Sequence, residues 1–97
     1  MKIFTDVACL TEVSTLDLGI VPAGEVKQYE FYVKNPTKAY LRELKFYTSH
    51  NEIAILTAPK DLNPEQSGRL LVEWSPSVTL KEGLKTQLLI NGKEIWQ

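Results

Sequence analysis

Tyr29-Glu30-Phe31-Tyr32-Val33-Lys34-Asn35-Pro36 is the stretch on which the fold turns. Tyr29, Phe31 and Val33 alternate with Glu30, Tyr32 and Lys34. Successive side chains of a strand point to opposite faces, so the stretch reads as a strand with one buried and one wet face. Asn35-Pro36 closes it with turn chemistry. The pattern returns at Leu70-Leu71-Val72-Glu73-Trp74-Ser75, where Leu70, Val72 and Trp74 share a face. Leu16 with Leu18, Leu44 with Phe46, and Leu88 with Ile90 extend the series in both directions. Antiparallel sheets solvated on one side give this alternation; buried parallel strands read as continuous apolar runs.

Turn residues fall between these runs. Val21-Pro22-Ala23-Gly24 and Asn63-Pro64-Glu65-Gln66-Ser67-Gly68 carry the proline and glycine that tight turns use. Asn91-Gly92 is a strong hairpin signal and predicts that residues 87–90 pair with residues 93–96. The spacing of runs and turns predicts an all-β fold, an immunoglobulin-like antiparallel β-sandwich of about seven or eight strands. Helix is scarce: residues 37–43 contain some helix formers, but the segment is short and follows a proline. Residues 13–97 are assigned to the sandwich. Residues 1–12 are either its first strand or an arm lying against a neighbour.

The 97 residues suit one domain. At 43% hydrophobic residues the chain has the makings of a core. Eleven Lys and Arg nearly balance twelve Asp and Glu, leaving a formal charge of −1. A nucleic-acid partner would call for a basic stripe, and none is visible. A membrane-spanning helix needs about 20 apolar residues in a row, and no run approaches that. The N-terminal segment MKIFTDVACL lacks the apolar block of a secretion signal, being interrupted by Thr5 and Asp6. Cys9 is the sole cysteine, which leaves no intrachain disulfide and no Cys-based zinc site. It reads as a small buried hydrophobe.

Catalytic patterns are missing. His50 is the only histidine, set in Ser49-His50-Asn51 without a nucleophile motif, and reads as an exposed loop residue. Glu12, Glu25, Glu30, Glu43, Glu52, Glu73, Glu82 and Glu94 are dispersed, and several fall on outward strand positions. No Asp-x-Asp spacing suggests a calcium loop. The expectation is a protein that is not an enzyme, with no cofactor and no metal. Gly19 and Gly24 read as backbone punctuation, because a phosphate cradle needs a following helix and a strand follows here.

Leu16-Asp17-Leu18-Gly19-Ile20-Val21-Pro22-Ala23-Gly24-Glu25, together with the Tyr29–Pro36 stretch, resembles the opening of ASH (ASPM–SPD-2–Hydin) domains and of the related major-sperm-protein-like domains. In that family a strand ends in an apolar residue and Gly, a short turn ends in Gly, and a strand closing on Asn follows. Leu62-Asn63-Pro64, Ser67-Gly68 and the run from Leu70 to Pro76 match a later block, with Trp74 where Phe is commoner. The resemblance covers roughly residues 13–92 and implies an immunoglobulin-like fold; its motifs say little about function.

Two functions are expected from this reading. The first is a structural component of a large assembly, since a standalone domain of this kind resembles accessory proteins of bacteriophage virions that decorate or cement capsids or join tail parts. Its partners would be capsid or other assembly subunits, with a homo-oligomer possible, and its location the virion, assembled in the host cytoplasm. The second is a cytoplasmic adaptor of the ASH or major-sperm-protein kind that recruits a protein partner. A basic face for an acidic peptide would draw on Lys34, Lys38, Arg42 and Lys45, diluted by Glu30 and Glu43. Candidate partner-binding residues are Ile3, Phe4 and Val7 in the N-terminal segment, and Tyr32, Tyr47 and Leu71 as one outer patch. A sandwich face that binds carbohydrate is a further alternative, with Trp96 or an exposed Tyr stacked on the sugar.

Overall fold

A computed structural model of the chain describes residues 1–96. These residues form β1 (Lys2–Phe4), β2 (Glu12–Val13), β3 (Leu16–Gly19), β4 (Lys27–Lys34), β5 (Tyr40–Thr48), β6 (Ile53–Thr57), β7 (Ser67–Trp74), β8 (Leu84–Thr86) and β9 (Leu88–Ile95), with no helix among them. Every pairing is antiparallel. One layer is a five-stranded sheet in the order β2-β1-β4-β7-β6. The other consists of two ribbons, β3 with β8 and β5 with β9. Only Gln87 separates β8 from β9, so residues 84–95 run almost without interruption along this second layer.

The two layers close on a shared core. Phe31 and Val33 of β4 and Leu70, Val72 and Trp74 of β7 meet Leu16 and Leu18 of β3 and Leu44 and Phe46 of β5. These are the residues that the alternation assigned to inner faces. Burying each contributes about 1.5–3 kcal/mol. Two polar contacts help hold the chain's turns and layers. The Tyr29 hydroxyl on β4 donates to the Leu18 carbonyl on β3 at 2.6 Å, and burial, with the Asp17 charge, raises the pKa of that phenol. Asn35, fully buried at the end of β4, donates to the carbonyls of Ala39, Leu62 and Asn63 and accepts from the Thr37 amide and hydroxyl.

The turns are where proline and glycine put them. The Glu25 amide donates to the Pro22 carbonyl, and Gly24 takes a φ of 86° at the third turn position, where a type II turn requires a positive value. Asn63–Gln66 closes likewise, with the Gln66 amide on the Asn63 carbonyl.

One open reading is decided and one expectation changes. Of the two alternatives for residues 1–12, the strand is the one observed: β1 pairs with β4 through Ile3↔Val33 and Phe4↔Tyr32, and β2 pairs back on β1. Asn91-Gly92 does not turn: β9 passes straight through it along β5. The register between these strands shifts from Arg42↔Lys93 to Lys45↔Asn91, so Glu43 and Leu44 together face Gly92. That is a β-bulge, with Glu43 at a φ of 54°. A Cβ on Gly92 would lie 2.7 Å from Leu44 Cδ2 and 3.1 Å from the Arg42 carbonyl oxygen. The glycine that looked like turn chemistry instead makes room for the bulge across from it.

Candidate protein-binding surfaces

The N-terminal candidates divide. Ile3 and Phe4 are buried at 8% and 7% exposure, which removes both from any outer contact surface. Ile3 belongs to the main core, and Phe4 sits across from Tyr32 on the far side of the same sheet. Val7 is exposed, as is Leu10, both in the loop between β1 and β2. Asp6 shapes that loop: its carboxylate accepts from the amides of Leu10 and Thr11 at 2.8–3.1 Å. The bonds from Thr11 and then Leu10 lower its pKa. Cys9 lies in the same loop at a φ of 56°, half-buried and not in the core as its type suggested.

The outer patch also divides. Tyr32 is on β4 in the five-stranded sheet, whereas Tyr47 is on β5 in the opposite layer. Strands consecutive in sequence here cross between layers, so the two tyrosines face away from each other. Tyr32 does share a face with Leu71, because the pairs Tyr32↔Arg69 and Glu30↔Leu71 are next-but-one on β4 and β7. That face is polar. The Tyr32 hydroxyl donates to Glu30, and Arg69 Nε donates to the other Glu30 oxygen at 2.6 Å. Tyr32 first, then Arg69, lower the Glu30 pKa, and the same bond raises that of Tyr32. Tyr32 and Leu71 are both only half-exposed.

Tyr47 finds different company. It pairs across strands with Leu89 of β9, and the two are 46% and 50% exposed. At the other end of the ribbon Tyr40 pairs with Ile95, which is 44% exposed, and Trp96 follows at 63%. Between these apolar ends lie Arg42, Lys45, Asn91 and the ion pair Lys93–Glu43 at 2.9 Å. Leu89 and Ile95 were not singled out from the sequence. The available signal was Leu88-Leu89-Ile90, an apolar run that overfills a period-2 pattern and so puts one leucine outside.

The basic residues are not one face. Lys34 is on β4 and pairs with Glu65 at 3.8 Å, while Arg42, on β5, donates to the Leu41 carbonyl and to Asn63 Oδ1. His50 is half-buried and not free in its loop: its Nδ1 accepts from the Glu52 amide, and its ring meets Trp74 edge-on at 6.3 Å. Trp74 is fully buried, and its Nε1 has no partner among the described residues. No group of three or more His, Cys, Asp and Glu among the described residues could hold a metal ion, and no helix is long and apolar enough to cross a membrane. No protein family, curated protein or solved structure matches the chain.

Proposed function

We infer that this chain is a non-catalytic structural protein that acts through protein–protein contacts within a larger assembly. In its fullest form this reading makes it an accessory protein of a bacteriophage virion, decorating or cementing the capsid or joining parts of the tail. The observation that supports contact by this chain is the β5–β9 ribbon, which carries the half-exposed Tyr47–Leu89 pair at one end and the Tyr40–Ile95 pair at the other. Exposed aromatic and aliphatic side chains grouped on one surface and edged by charge are the composition of a contact surface, because they bury large area for little lost side-chain freedom. The test is mass spectrometry of gradient-purified particles from the chain's own source. The expected result is the chain at a fixed ratio to a capsid or tail subunit, lowered by Tyr47→Glu. A chain confined to the soluble fraction overturns the virion reading, and a soluble one-to-one complex with a cellular protein favours the cytoplasmic adaptor instead.

A further inference from the structure

The sheet edges of this molecule are unequal. β2 ends its sheet with two residues. β6 has five and shifts register between Ile55 and Thr57. β3 has four and shifts register between Asp17 and Gly19. The outer side of β5 is partly occupied: Leu41 and Leu62 exchange amide–carbonyl bonds, and the Leu44 amide donates to the Lys60 carbonyl. β9 is the exception. It has eight residues, pairs with β5 alone, contains no proline and carries no bulge of its own, and no backbone group on its second edge has a partner among the described residues. Short edges, bulges, prolines and charged side chains are how proteins block pairing with another chain; β9 has only the last, in Lys93 and Glu94. Beside Leu88 and Ile90 the edge opens on a groove of about 590 Å³ that reaches Ile3 and Val13, so the β1–β2 hairpin does not cover it.

β9 also matches itself. In an antiparallel pair of identical strands the twofold axis must pass through a residue; otherwise outward side chains of one copy would meet inward ones of the other. With the axis at Gly92, Leu89 and Ile95 lie three residues to either side, so each exposed Leu89 meets the exposed Ile95 of the second copy. Asn91 then faces Lys93, Ile90 faces Glu94 and Leu88 faces Trp96, with no like charges opposed. Moving the axis to Asn91 sets Leu89 against Lys93 and Leu88 against Glu94; moving it to Lys93 opposes two lysines. Apolar cross-strand pairs stabilise a sheet and opposed like charges destabilise it, which singles out Gly92.

We propose that two copies of this chain pair antiparallel along β9, about a twofold axis at Gly92, to form one four-stranded sheet in the order β5-β9-β9-β5. The proposal rests on the reading of the β5–β9 ribbon as the contact surface and names its partner as a second copy. Each substitution enters such an interface twice. Leu89→Glu is therefore expected to weaken dimerisation at least about tenfold, and Ile95→Lys likewise. Combining the two in one chain puts opposite charges across both symmetry-related pairs and restores most of the loss.

Sedimentation of the 11.0 kDa full chain reads this directly. The expected result is a concentration-dependent dimer, lost in each single variant and recovered in the double, with circular dichroism showing that all four proteins are folded. Hydrogen exchange provides a measurement without substitution: amides of β9 are expected to slow as concentration rises, while those of β6 do not. A monomer up to about 1 mM, where even weak specific association registers, overturns the proposal. So does a dimer indifferent to both substitutions. A monomer that is still found in purified particles sinks the self-pairing and leaves the assembly reading standing; a β9 dimer absent from every particle does the reverse.

Discussion

β7 of the five-stranded sheet and β9 of the β5–β9 ribbon are strands of equal length and opposite character. β7 and β9 both have eight residues, and both alternate at their apolar end. On β7, Leu70, Val72 and Trp74 are sealed completely. On β9, Leu88 and Ile90 are only half-buried, and every residue from Asn91 to Trp96 is exposed. β7 has β4 on one side and β6 on the other, whereas β9 has β5 alone. Alternation thus tells which way a side chain faces, and on β9 it does not tell how deep it sits. Both layers supply the core, through Leu16, Leu18, Leu44 and Phe46 on one side and β4 and β7 on the other, and the outer end of β9 is left available for contact.

Truncating the same kind of side chain in each region gives the largest effect. Leu70→Ala is expected to cost about 2–5 kcal/mol of unfolding free energy in urea titrations, and Ile90→Ala no more than about half as much, because its cavity opens to solvent. Equal losses would break the comparison. The two asparagines provide the next contrast. Asn35→Ala strands the Ala39 carbonyl in a buried site, takes a second donor from the carbonyls of Leu62 and Asn63, and is expected to cost about 2–3 kcal/mol. Asn91→Ala, exposed on the ribbon, is expected to stay within about 0.5 kcal/mol. An Asn35→Ala protein as stable as the parent would show that this hub organises nothing.

The same contrast governs what the sequence disclosed. Leu16, Leu18, Phe31, Val33, Leu70, Val72 and Trp74 were legible as core because a strand sealed on one face must repeat with period 2, and nothing nearby competes with that signal. Gly19 and Gly24 were legible as backbone devices, and both have positive φ. The ribbon was not legible. Asn91-Gly92 carries the local chemistry of a hairpin, but a bulge at Glu43-Leu44, far away in the sequence, decides its conformation, and that pairing is invisible in local sequence. Tyr32 and Tyr47 looked like one patch because alternation gives the face of a strand and never its layer. Phe4 looked available because its pairing with Tyr32 depends on β1 joining β4, a contact between distant parts of the chain.

Gly92→Ala probes the bulge. The added methyl meets Leu44 Cδ2 and the Arg42 carbonyl, so the ribbon must spread, and a loss of about 1–3 kcal/mol is expected. A neutral result would mean that the bulge relaxes freely. In the sealed sheet, Trp74→Phe is expected to change stability by no more than about 1 kcal/mol, since the lost volume is offset by removing an indole N–H that has no partner. A loss like that of a full truncation would mean that the N–H is satisfied after all.

The smallest effect separates the regions by pH. On the five-stranded sheet, Glu30 has its pKa lowered by the Tyr32 hydroxyl and then by Arg69. A carboxylate held below its ordinary value adds stability that is present above that value and lost as pH falls through the lowered one. On the ribbon, Lys93 has its pKa raised by Glu43. An ammonium held above its ordinary value adds stability that is present below that value and lost as pH rises through the raised one. Both groups are exposed, so solvent screens each and the effects are small. Arg69→Gln should therefore narrow its difference from the parent in acid and keep it at alkaline pH. Glu43→Gln should converge with the parent as pH rises through the raised Lys93 value. If Arg69→Gln also converges with the parent there, the two surface networks are not independent, and the ribbon is not held separately from the sheet.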